Sequence, residues 1–168
     1  PVIATSATLT VGKSFDAIAK NIGFVIAGKN DEENIEENEE DGEDDKKGGC
    51  QVILIATGSE VYLALAAREK LAQDGIKARV VSAPCLEWFK EQPESYRNQV
   101  LPKNLKARVS IEAGIAQPWY EFIGDAGVAV SLEHFGASAS ATVLFKEFGF
   151  TVENIVNAAK KSIDKLHG

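Results

Sequence analysis

The chain has 168 residues, with 25 acidic side chains against 18 basic ones and a formal charge of −7. Its length suits one domain with a core of its own. Eleven of the acids lie between Asp31 and Asp45, followed by Lys46 and Lys47; outside that stretch 14 acids face 16 bases, so there is no basic stripe and nucleic-acid binding has no electrostatic support. No apolar run approaches the roughly 18 to 20 residues of a membrane span, and no charged segment precedes an apolar core at the N-terminus. There is no methionine, and a chain opening Pro-Val-Ile is expected to have been cut or cloned from something longer, or processed. Cys50 and Cys85 stand in unlike contexts, one beside Gly-Gly and one after Pro. They read as two unpaired thiols in a reducing cytoplasm rather than a disulfide framework.

In chain order, Ser14 to Lys20 reads as a short helix and Gly23 to Ala27 as a first strand. Residues 29–50 form an acidic, low-complexity loop whose like charges repel and whose lone Ile35 supplies no core, so it is expected to be disordered. Setting Gly42 at the sixth position of a calcium loop puts Glu37 first and Gly48 twelfth, where Asp and a bidentate Glu are needed, so the match fails at the ligands. Val52 to Ile55 is a continuous apolar run with three β-branched residues, as in a strand covered on both faces of a parallel sheet. Thr57-Gly58-Ser59 breaks it, Glu60 opens a helix rich in Ala and Leu with Ser59 as expected N-cap, and Gly75 stops it. Ala78 to Ser82 is the next strand, which completes one βαβ unit. Leu86-Glu87-Trp88-Phe89 follows, then a helix over Pro93 to Val100. Ala107 to Glu112 reads as a strand, Pro118 to Phe122 as a short helix with Pro in its first turn, and Gly127 to Leu132 as another strand. Ser138 or Ser140 should cap a helix stopped by Gly149, and Thr151 a final helix ending near Lys165. About five strands alternating with helices imply an α/β, three-layer sandwich around a mostly parallel sheet. Residues 1–168 read as a single domain: a linker and first strand over 1–28, the acidic loop over 29–50, and the α/β core over 51–168.

The chemistry is sparse. With His134 and His167 as the only histidines and two scattered cysteines, no zinc site assembles by spacing. There is no nucleophile elbow, since Gly136-Ala137-Ser138-Ala139-Ser140 lacks the closing Gly, and neither a Walker A loop nor a Gly-x-Gly-x-x-Gly fingerprint. Gly124-Asp125 with Asn154 echoes the Gly-Asp-Gly…Asn metal signature of thiamine-diphosphate enzymes. The third position is Ala126, however, and Asn154 should fall inside a helix. No catalytic, cofactor-binding or metal residue is assigned. The strand ends Thr57 to Glu60, Ser82 to Pro84, Glu112 to Gly114 and Glu133 to Gly136 should converge on one edge of a parallel sheet. There Gly58, Ser59, Glu112 and His134 form a candidate pocket for a small anion or effector, with the amides of Gly58 and Ser59 at a helix N-terminus. Turn and cap chemistry explains the same residues, and His134 reads as a turn or interface residue.

The blocks ATGSEV, ARVVSAPCLEWFKEQ with YRNQVLP, ARVSIEAGIAQPWYEFIG, SLEHFGASA and LFKEFGFT resemble the C-terminal domain of transketolase, nearly continuously from Gln51 to Lys165 and in the family's order. PVIATS and GFVIAGK in residues 1–28 resemble the linker and first strand of that domain. Residues 29–50 depart from the family and resemble an insertion. The resemblance implies a cytoplasmic, homodimeric enzyme of the pentose phosphate pathway that moves a two-carbon ketol unit from a ketose phosphate to an aldose phosphate. It also implies thiamine diphosphate and magnesium, held between the two preceding domains, with upstream domains of the same enzyme as partners and none of the cofactor residues on this chain. Three roles follow for the chain: a catalytically silent architectural domain, a regulatory module binding a nucleotide or sugar phosphate, or a dimer-contact domain if Trp88, Phe89, Trp119 and Tyr120 share one exposed face.

Overall fold

The computed structural model describes residues 49–167, so the expected helix over Ser14 to Lys20, the strand over Gly23 to Ala27 and the acidic stretch before Gly49 lie outside it. Strand β1 is Val52–Ala56, buried along its whole length. Its alternate residues serve two cores: Val52, Leu54 and Ala56 belong to one apolar cluster, Ile53 and Ile55 to the other. That period of two, apolar on both sides, accounts for the unbroken hydrophobic run. Helix α1 (Glu60–Gln73) follows, and Gly75 ends it at φ +77°, a left-handed conformation that Gly adopts without steric cost. Then come β2 (Ala78–Ser82), α2 (Leu86–Glu91) and α3 (Glu94–Val100). Strand β3 is Arg108–Ile111, and a 3₁₀ turn at Gln117–Trp119 leads into α4 (Tyr120–Ile123). The chain closes with β4 (Val128–Val130), α5 (Ala141–Glu147) and α6 (Val152–Asp164).

The four described strands lie in the order β2-β1-β3-β4, and every pair is parallel. Helices α1 and α6 cover one face, burying Ala64, Ala67 and Leu71 beside Ile155, Val156 and Ala159. On the other face Val100, Leu101, Trp119, Phe122 and Ile123 bury against Ile53 and Ile55, with the Phe89 ring tilted against Phe122 at a centroid distance of 6.0 Å. The result is the expected three-layer α/β sandwich with a parallel sheet. The fifth strand of the expectation falls on residues 23–27, outside the described ones.

Local details separate the expected caps. Thr151 caps α6 as read, its Oγ1 accepting from the Asn154 amide at 3.2 Å. Ser140 precedes α5 in an extended conformation, yet its side chain makes no capping bond. The Leu86–Glu91 stretch, too short to show a helical period in the sequence, is helical. Two ion pairs between exposed side chains fasten α1 to α6: Lys70 to Glu153 at 2.9 Å and Lys160 to Asp74 at 2.8 Å.

Candidate functional site

Because all four strands are parallel, the loops after β1, β2, β3 and β4 meet at one edge, where open α/β sheets hold their ligands. Each candidate residue sits on this edge. Gly58 and Ser59 follow β1, Glu112 follows β3, and His134 follows β4. Gly58 turns the chain at φ +54°, a left-handed position where a side chain would be strained.

The carboxylates dominate what the edge can do. Glu60, in the first turn of α1, is only 6% exposed. Its Oε1 accepts from the Ala113 amide at 3.3 Å and its Oε2 from the Ser59 hydroxyl at 3.2 Å. The side chain thus joins the end of β1 to the end of β3. Glu112 accepts from the indole N–H of Trp119. Glu133 accepts from the Ala116 amide at 2.8 Å. That bond, followed by one from Ser131, holds the Glu133 carboxyl below its ordinary value. Three backbone or indole donors that could have met an anion are therefore taken by the protein's own carboxylates. His134 is exposed: its Nδ1 lies 2.8 Å from the Phe135 carbonyl and its ring meets Phe148 edge-on at 4.8 Å.

Ser59 departs from its expected role. It is helical in conformation, at φ −67° and ψ −23°, and its side chain makes no capping bond to a backbone amide; the hydroxyl instead donates to Glu60. The aromatic face also divides. Trp119 is 2% exposed and Phe89 packs inward against Tyr96 and Phe122, whereas Trp88 and Tyr120 are exposed at 47% and 61%. Sequence reasoning placed Glu60 at the edge but missed its burial. A Glu in the first turn of a helix signals only dipole complementarity, and the strand pairing that sets Ala113 beside it is non-local.

Among the described residues no group of three or more His, Cys, Asp or Glu could hold the metal ion of a thiamine-diphosphate site. Asp125 lies between α4 and β4, at the amino edge of the sheet, while Asn154 lies in the first turn of α6 and its side-chain amide is taken up by Gly149 O at 2.9 Å. That placement removes the echo of a metal signature. Among the described residues no helix is long and apolar enough to cross a membrane.

A family model for the transketolase-like TK C-terminal domain matches residues 42–151, beginning inside the acidic stretch. The chain is 57% identical over 113 residues to the transketolase of Mycobacterium tuberculosis (strain ATCC 25618 / H37Rv), an alignment covering 67% of this chain and 16% of that protein. It is 54% identical over 117 residues to transketolase 1 of Escherichia coli (strain K12), covering 70% of this chain and 18% of the relative. Among solved structures, the transketolase from Leishmania mexicana superposes with a TM-score of 0.64 at 40% identity, over 69% of this chain and 17% of that one. A Pichia stipitis transketolase in complex with sedoheptulose-7-phosphate gives 0.65 at 37% identity, over 71% and 17%. The chain thus spans less than a fifth of the length of these relatives. With the parallel sheet, the helix order and the family match in agreement, this chain belongs to the transketolase-like C-terminal domain family.

Proposed function

We propose that the chain serves as the C-terminal, architectural domain of a transketolase, a transferase that moves a two-carbon ketol unit between sugar phosphates. In this reading the assembled enzyme is a cytoplasmic homodimer of the pentose phosphate pathway and uses thiamine diphosphate with magnesium, which supplies the carbanion chemistry when bound. The residues of this chain take no step in that chemistry. The observation that carries the reading is the family match over residues 42–151, joined to a sheet edge where the carboxylates of Glu60, Glu112 and Glu133 are engaged in holding loops together.

A regulatory module for a nucleotide or sugar phosphate is less well supported. Such a ligand needs lysine, arginine or unengaged amides. The loops after the four strands contain no Lys or Arg, and Glu60, Glu112 and Glu133 set three carboxylates there, accepting from the Ala113 amide, the Trp119 indole and the Ala116 amide, which would repel an anion. The candidate pocket of Gly58, Ser59, Glu112 and His134 is accordingly read as turn chemistry.

Two measurements test the proposal together. The assembled enzyme should transfer a ketol unit from a ketose phosphate to an aldose phosphate. The 168-residue chain by itself should show no turnover, and calorimetric titration with thiamine diphosphate and magnesium should give no heat of binding. A micromolar isotherm with the chain alone would overturn the architectural reading.

A further inference from the structure

Charge separates the two edges of the sheet. The loops after the four strands hold no lysine or arginine. At the opposite, amino edge Lys77, Lys103 and Lys106 lie in the segments that lead into β2 and β3, and Arg79 and Arg108 fall within the first two residues of those strands. Residues 49–51, 74–77, 101–107 and 124–127, which lead into the four strands, hold only two carboxylates. Asp74 is paired with Lys160, and Asp125 precedes β4 at the outer end of the sheet.

Between the starts of β1, β2 and β3 lies a cleft of about 310 Å³, with Gly49, Arg79, Asn104 and Leu105 among its lining. Arg79 is half-buried. Its Nη1 donates to the last carbonyls of α3, Gln99 O at 2.9 Å and Val100 O at 3.4 Å, while its Nε and Nη2 meet no acceptor among the described residues. The Asn104 side-chain amide has no partner among those residues either. Lys103 is paired with Glu94, but Lys106, next to Leu105, is exposed and forms no ion pair with any described residue. A guanidinium with donors to spare, beside an amide and a lysine, suits a carboxylate or phosphate oxygen.

The nearest source of such oxygens is the chain itself. Gly49 lies on the cleft wall and Asp45 precedes it by four residues, so the two backbones are at most about 14 Å apart. Eleven carboxylates fall in the stretch that ends at Asp45. So short a tether holds them near the cleft at an effective concentration on the order of millimolar, and their charge repels a free anion approaching it. One ion pair at a surface is weak; many tethered carboxylates sharing one guanidinium offset that weakness.

We infer that the amino-edge cleft is an oxyanion site, with Arg79 as its binding cation, and that its occupant is the chain's own acidic run Asp31–Asp45. An isolated chain suffices for this contact, which stands apart from any role in ketol transfer.

Carbodiimide coupling of the 168-residue chain, read by mass spectrometry, tests the occupant, because the reagent joins a carboxylate to a lysine amine only where the two touch. At low ionic strength residues 31–45 should couple to Lys106 several-fold more than to Lys146, an exposed lysine of α5, and high salt should remove the difference. The Arg79 Nε–H resonance gives a second readout that leaves the cleft unaltered. Changing all eleven acids to Asn or Gln should shift it. Millimolar inorganic phosphate should then move it further, while leaving it in place in the wild-type chain. Equal coupling to Lys106 and Lys146, or an Arg79 resonance indifferent to the eleven changes, overturns the occupant. Phosphate that moves the resonance equally in both chains overturns it too, and makes the cleft a site for a free anion. A resonance that phosphate fails to move even in the neutralised chain overturns the oxyanion site itself.

Discussion

The Oε1 of Glu60 accepts a hydrogen bond from the Ala113 amide at 3.3 Å, so the first helical turn after β1 closes the end of the neighbouring strand β3. A carboxylate buried without a cation is retained here because its oxygens meet an amide and a hydroxyl at the N-terminus of a helix, whose dipole favours negative charge.

Truncating this side chain should expose its role. Glu60→Ala leaves the Ala113 amide without its acceptor and should cost about 1–3 kcal/mol of stability, whereas Glu60→Gln keeps an acceptor and should cost under about 1 kcal/mol. Denaturant unfolding of the chain and its two variants measures both. Equal midpoints for Glu60→Ala and wild type would mean that the bridge holds nothing.

Ser59 should matter for a different reason than its sequence position suggests. Its side chain caps no backbone amide, and its hydroxyl donates instead to the buried Glu60 carboxylate. Ser59→Ala should therefore cost about 1 kcal/mol through that lost bond, should cost little more once Glu60 is already alanine, and should leave turnover of the assembled enzyme unchanged. A tenfold fall in kcat with stability intact would assign this edge to catalysis.

The contrast between Ser59 and Val52 shows where the sequence is readable. The run Val52–Ile55 specifies its strand because each of its side chains is buried, and alternation between two cores leaves no polar gap. Gly75 and Thr151 are legible for a similarly local reason, since the chain conformation at each is set by its own side chain. The burial of Glu60 and the inward turn of Trp119 depend on partners far along the chain. Helices as short as Leu86–Glu91 and Tyr120–Ile123 span fewer than two turns, too few for a hydrophobic period to say which of Trp88, Phe89, Trp119 and Tyr120 faces the core. The gathering of bases at the strand starts became visible only once every strand was known to be parallel.

The two tryptophans offer a direct optical check on that division. Trp119 is buried with its indole bonded to Glu112, and Trp88 is exposed. In the 168-residue chain, iodide should quench Trp88 emission strongly and Trp119 hardly at all, so the Trp88→Phe variant should be nearly insensitive to iodide. Trp119→Phe loses the bond to Glu112 and should cost about 1–3 kcal/mol, mostly from the acceptor left unpaired. Comparable quenching of both residues would contradict the packing of Trp119 against Phe122 at 6.5 Å.

Acid should loosen the domain. The bond from Lys160 and its charge hold Asp74 below its ordinary 3.8, and Lys70 does the same for Glu153, whose ordinary value is 4.5. Groups whose pKa is depressed on folding stabilise the fold above their unfolded values, and that stabilisation is lost as pH falls through the folded values. The melting temperature should stay level down to about pH 5 and decline below it, with most of the loss under the 4.5 and 3.8 of the unfolded carboxyls. Asp74→Asn combined with Glu153→Gln should start lower and decline less. A variant curve parallel to wild type through this range would show that the α1–α6 ion pairs do not carry the acid response.

Arg108 supplies the sharpest structural prediction, because its half-buried guanidinium is held by carbonyl oxygens. Its Nε donates to Leu105 O at 2.9 Å, Nη1 to Phe122 O at 2.6 Å, and Nη2 to Pro102 O at 2.8 Å and Leu101 O at 3.3 Å. One side chain at the start of β3 thereby joins the chain just past α3 to α4, and burial pulls its pKa below the usual arginine value. Arg108→Met fills much of the volume but strands those carbonyls, and should cost about 2–4 kcal/mol. Lysine has a single nitrogen and cannot span the planar fork, so Arg108→Lys should recover less than half of that loss. Urea midpoints of the two variants decide the matter. If Arg108→Lys matched wild type, a point charge at this position would be sufficient, and the four-carbonyl geometry would contribute nothing to the fold.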